Sequence, residues 1–142
     1  MDSSALAKRY IEEEGSNELA DLLSRTSSLG LSVTCAPEIV SALNRRRREG
    51  ALFADEYLQA REQLFADVED AMVLDLTPAV VLVSIDLLER NVLRAMDALH
   101  VACAIEWEAD LFVSSDRRQI AAAEHAGLAV VFVGRSSGTD GL

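Results

Sequence analysis

Two hydrophobic rhythms alternate along the chain. One has apolar residues three or four positions apart, as on one face of a helix, and the other is a short alternating or unbroken apolar run, as in a strand. Asp2-Ser3-Ser4 opens a helix that runs through Leu6, Tyr10 and Ile11 to Glu14, with Gly15 as the stop. Ser16 is placed to cap a second helix, with Leu19, Leu22 and Leu23 as its stripe, ending near Ser28. Leu31 to Cys35 alternates apolar and polar and predicts a strand. Pro37 suits the first position of a third helix. Glu38 then falls in its first turn, Ile39, Val40 and Leu43 face inward, and Arg45–Arg48 close it before Gly50. In a fourth helix Phe53, Tyr57, Leu64 and Val68 recur at helical spacing, with Leu58 and Phe65 widening the stripe.

Met72 to Leu76 reads as a short strand, and Pro78 opens a helix to about Arg90. The next helix holds Asp97 among Ala95, Met96, Ala98, Leu99, Val101, Ala102, Cys103, Ala104 and Ile105. Leu111-Phe112-Val113 is a strand, Arg117 to His125 a helix stopped by Gly127, and Leu128 to Val133 a last apolar strand. Strands alternating with helices predict an α/β fold, with a central parallel sheet of about four to five strands and helices on both faces. No repeat or linker divides the chain, so residues 1–134 are expected to form a single domain, followed by a flexible Ser/Gly-rich tail, 135–142.

The totals sharpen this little. A chain of 142 residues that is 50% hydrophobic can bury roughly 70% of its unfolded surface. No apolar run approaches the roughly 18 residues of a membrane span, and the start has no signal pattern. A cytoplasmic protein with no membrane partner is expected, with Cys35 and Cys103 as buried free thiols. The net charge of −11 opposes contact with a phosphate backbone, which is bound through Lys and Arg. Thirteen basic residues remain, four of them consecutive at Arg45–Arg48.

Candidate chemistry lies in four acids. Asp97 stands within a helix apolar on nearly every side, where an ionised carboxylate is costly unless paired or bound to a metal, and Arg94 is its one local partner. Asp116 follows the carboxyl end of a strand, where ligands sit in open α/β sheets. Asp2 and Glu38 occupy helix starts. Each of the last three has a local explanation: a cap for Asp2, a helix dipole for Glu38, and a capping box with Gln119 for Asp116. Brought together, however, such acids repel by about 4 kcal/mol per pair at 4 Å and an effective dielectric near 20. A hard divalent cation such as Mg²⁺ or Mn²⁺ removes that penalty. The two histidines and two cysteines lack zinc spacing, and there is no Gly-rich phosphate loop or GxSxG elbow. A phospho-acceptor receiver site wants a late lysine, and Lys8 is the only one in the chain.

In order and spacing the chain resembles the PIN-domain family, and within it the VapC-type toxins of bacterial toxin–antitoxin pairs. The resemblance is carried by Asp2-Ser3-Ser4-Ala5-Leu6 with Lys8, by Glu38 with Ser41-Ala42-Leu43, by Arg94 and Asp97-Ala98-Leu99-His100 with Ala102, and by Phe112-Val113-Ser114-Ser115-Asp116. It spans Asp2 to about Gly134. It implies that Asp2, Glu38, Asp97 and Asp116 bind Mg²⁺ or Mn²⁺ and that Ser4 and Ser114 orient the acids or water. The activity it implies is metal-dependent endoribonuclease cleavage of RNA by a metal-activated water. The implied partners are an RNA substrate, a cognate antitoxin and a second copy in a homodimer, with Arg94, Arg117 and Arg118 as RNA or antitoxin contacts. A PIN nuclease of RNA processing and a catalytically silent PIN binding module are the alternatives. The family has an apolar strand before the first aspartate, whereas here only Met1 precedes Asp2. Either the native start lies upstream or, if the chain begins at Met1, a shortened central strand and a frayed Asp2 are expected. His100 is expected to be a packed or hydrogen-bonded core residue, and Trp107 to serve core or interface.

Overall fold

The computed structural model describes residues 1–134; the tail 135–142, expected to be flexible, lies outside the described residues. The chain forms α1 (Ser3–Leu6), a 3-10 turn (Ala7–Arg9), α2 (Ser16–Ser24), β1 (Gly30–Ser32), α3 (Cys35–Arg48), α4 (Ala54–Asp70) and β2 (Met72–Leu74). It continues as α5 (Pro78–Arg90), α6 (Ala95–Glu106), β3 (Phe112–Ser114), α7 (Arg117–His125) and β4 (Val130–Phe132). No helix among the described residues is long and apolar enough to cross a membrane.

The alternation of helices with parallel strands is as predicted, but one sheet of four to five strands is not what forms. Four strands of three residues make two parallel pairs, β1 with β2 and β3 with β4. Between the pairs runs the stretch Met1–Asp2. The Met1 amino group donates to Gly30 O at 3.2 Å, and Asp2 N–H donates to Val113 O at 3.1 Å. These two bonds tie one pair to the other. The apolar packing crosses between the pairs, since Leu74 of β2 packs with the cluster around Phe112 of β3. Leu31 of β1 joins Leu6, Ile39, Leu43 and Leu64, while Phe112 of β3 joins Val80, Leu87, Val101 and Ala102.

Local chemistry explains where the elements depart from the periodicity. The first helix ends in the 3-10 turn instead of reaching Glu14, because the Ser16 hydroxyl turns back to accept from Glu13 N–H and donate to Lys8 O. Gly15, at φ 96°, therefore holds the cap position in its place, backbone geometry that suits glycine. The second helix stops at Ser24, where the hydroxyls of Ser24 and Thr26 bond the carbonyls of Asp21 and Leu22. Thr34 and Cys35 leave the predicted strand to begin α3, which puts Pro37 third in the helix and not first. On α4 the apolar stripe is narrower than its spacing suggests. Ala60 and Leu64 are buried, whereas Phe53, Leu58 and Phe65 are exposed. Trp107 packs flat on Gly30, where a Cβ would lie 2.4 Å from its ring. Cys35 and Cys103 are buried and unpaired.

Candidate functional site

A cavity of about 490 Å³ opens beside the carboxyl ends of β1 and β3, and Asp2, Glu38, Asp97 and Asp116 all line it. Each arrives from a different segment. Asp2 caps α1, accepting from Ala5 N–H at 3.2 Å and from Ser4 Oγ at 2.7 Å. It is 1% exposed, so the terminal aspartate is pinned and not frayed. Burial pushes its carboxyl above the ordinary aspartate value, against the hydrogen bond from Ser4 and the His100 charge.

Two hydroxyls bind Asp2 to the end of β3. Ser4 Oγ accepts from Ser115 N–H at 3.0 Å and lies 3.4 Å from Ser114 Oγ. Ser114 Oγ accepts from Asp116 N–H at 2.9 Å. Asp116 then caps α7, its Oδ1 taking Arg118 N–H at 2.9 Å.

Glu38 projects from the first turn of α3. Its Oε1 accepts from Ser3 Oγ at 2.9 Å and Thr34 Oγ1 at 3.4 Å, and it meets His100 Nε2 at 2.5 Å. Burial raises this carboxyl, but the bonds from His100, Ser3 and Thr34 outweigh it and hold the group below the ordinary glutamate value. His100 is buried, as expected of a core histidine, yet its Nε2 points into the acidic site.

Asp97 is less isolated than the apolar run around it implies. It sits in the first turn of α6, where the unpaired N–H groups of a helix favour a carboxylate. Arg94 Nε is 3.5 Å away, but the arginine side chain is 87% exposed, so the pair adds little. The closer partner is Gln119, whose Nε2 donates to Asp97 Oδ1 at 3.0 Å and to Asp116 Oδ2 at 3.3 Å. The capping box expected of Gln119 is therefore not made, because its amide bridges two carboxylates and leaves the Asp116 backbone to Ser114. Its Oε1 is buried with no partner among the described residues, at a cost of roughly 1–3 kcal/mol.

Of the basic residues singled out in the sequence, Arg94 and Arg117 line the cavity, and Arg117 stacks over Phe132 at 3.9 Å. Arg118 is not among the lining residues. From the arginine run only Arg45 reaches the cavity. Arg46 pairs with Glu13 and Arg47 lies over Tyr57. Sequence reading missed Ser3, which stands between Glu38 and His100 within the Asp2-Ser3-Ser4 motif. It also read Gln119 only as a local cap.

An all-carboxylate set suits a hard cation; Gln119 now bridges Asp97 and Asp116, and Ser3 and His100 bond Glu38. Among the described residues no three acids, histidines or cysteines yet converge as an ion would hold them. The fit to such an ion rests on the chemistry of the donor set, four carboxylates lining one cavity.

The geometry defines an α/β domain with an acid-lined cavity at its strand ends. The PIN-domain family model matches residues 1–125, and the chain belongs to that family. Its members are in general metal-dependent nucleases acting on RNA or DNA. Compared with curated proteins, the chain matches none.

Proposed function

We propose that this chain is a Mg²⁺- or Mn²⁺-dependent endoribonuclease and the toxin of a toxin–antitoxin pair. The observation that carries the nuclease reading is the meeting of four carboxylates, drawn from residues 2, 38, 97 and 116, around one cavity. Local roles account for each acid singly and not for their common address. Asp2, Glu38, Asp97 and Asp116 would hold the ion. When bound, the ion lowers the pKa of water and draws charge from the phosphoryl oxygens.

The protein's own groups complete the site. Ser4 and Ser114 hold Asp2 and Asp116 in register through hydroxyl bonds, and His100 with Ser3 keeps Glu38 ionised and aimed inward. Arg45, Arg94 and Arg117 put positive charge at the mouth of the cavity in a chain of net charge −11, which suits a phosphodiester backbone. The toxin role rests on the motif resemblance, in which a cognate antitoxin restrains the nuclease. Homodimerisation is supported by α5, where Val81, Leu82, Ile85 and Leu88 leave an apolar stripe exposed at helical spacing.

Incubation of RNA with the purified protein and Mn²⁺, with and without a chelator, tests the activity. Cleavage that stops on chelation is expected, and cleavage that survives it rejects the mechanism. Growth arrest on expression, relieved by the product of a neighbouring gene, separates a toxin from a processing nuclease.

A further inference from the structure

Gln119 stands out because its amide is committed to the acids and to nothing else. The side chain comes from the first turn of α7 and is 2% exposed. Its Nε2 is shared between Asp97 Oδ1 at 3.0 Å and Asp116 Oδ2 at 3.3 Å, while Oε1 is buried and without a partner among the described residues. The reverse orientation of the amide would place Oε1 against two carboxylates, so the acids fix which way it points. An orphaned buried oxygen is unfavourable for folding, which is out of keeping with a residue kept only to pack. Its one evident product is that two carboxylates from separate helices share a single donor.

We propose that Gln119 is a positioning residue, which holds Asp97 and Asp116 within reach of one cation before the cation arrives. The inference rests on the metal-site reading above. Without an ion, Asp97 and Asp116 repel, and their side chains would rotate toward water at the cavity mouth. The Gln119 N–H groups oppose that repulsion with a neutral donor. Because Gln119 Nε2 takes Asp97 Oδ1, and Arg118 N–H takes Asp116 Oδ1, the amide also sets how each carboxylate is turned. Outer groups of this kind commonly set metal affinity by 10- to 100-fold.

The test compares the wild type with Gln119→Met, which keeps the length of the side chain and removes the donor. Mn²⁺ affinity is read from the electron paramagnetic resonance signal of free Mn²⁺, and the melting temperature is taken in chelator. The variant is expected to bind Mn²⁺ about 10- to 100-fold more weakly while its metal-free melting temperature stays at or above that of the wild type. Gln119→Leu serves if Gln119→Met does not fold, with the same expectation. Wild-type affinity in the variant overturns the positioning role alone. A variant that loses metal-free stability in proportion to affinity also overturns it, since a packing role accounts for both. A wild type that binds no Mn²⁺ overturns the metal-site reading and this inference with it.

Discussion

The imidazole of His100 is bonded through Nε2 to Oε1 of Glu38, across 62 residues of chain, and Ser3 Oγ touches both partners. The bond joins α6 to α3 on the floor of the acidic cavity and keeps Glu38 from turning out to solvent. Replacing His100 with Ala frees that carboxylate. The Mn²⁺ concentration for half-maximal RNA cleavage is expected to rise by about 10- to 100-fold. An unchanged requirement would reduce His100 to packing.

Asp2 illustrates a conflict between site and stability. Burial raises its carboxyl above the ordinary aspartate value, so across that window the native state holds a proton that the unfolded chain has lost. Stability therefore falls as pH rises from the ordinary value to the native one. Asp2→Asn keeps an N-cap side chain and removes the charge. In chelator its melting temperature is expected to rise by about 2–4 °C, and the stabilisation conferred by added Mn²⁺ should disappear. Thermal unfolding with and without the ion reads both effects.

Asp67 has the opposite sign. Burial raises its carboxyl, but hydrogen bonds from Arg9 at 2.6 Å, Tyr10 at 2.7 Å and Gln63 at 3.1 Å prevail and hold it below the ordinary value. Its contribution is full above the unfolded-state value of about 3.9 and is lost as pH falls through the native value. This cluster fastens the 3-10 turn after α1 to α4. Asp67→Asn should flatten the loss of stability on the acid side, measured as urea midpoints across that range, and should leave Mn²⁺ binding unchanged.

The exposed stripe on α5 gives a prediction about assembly. Leu82 is 69% exposed and Ile85 46%, so a charge at Leu82 costs the monomer little. Leu82→Glu is expected to shift a dimer to monomer in sedimentation velocity without lowering the melting temperature of the monomer. A wild type that sediments as a monomer at tens of micromolar would contradict the dimer.

The elements that carry their own end signals were the most legible in sequence. Pro78 starts α5, and Asp116 with Gly127 brackets α7, because helix-start residues and positive-φ glycines act within a few residues. The division of the sheet was not legible, since alternation marks a strand but not its neighbours. The exposure of Phe53, Leu58 and Phe65 escaped for a related reason: periodicity gives the apolar face of a helix and is silent on whether anything covers it. At the site, the four acids were visible through type and spacing. The reach of Gln119 to Asp97, 22 residues away, was hidden, because on α7 itself its nearest counterpart is Asp116.

On this reading the four carboxylates surround a divalent ion. Anomalous diffraction from a crystal soaked in Mn²⁺ tests it most directly. A single strong region of anomalous density is expected inside the cavity, among Asp2, Glu38, Asp97 and Asp116. Density elsewhere on the surface, or none, would contradict it.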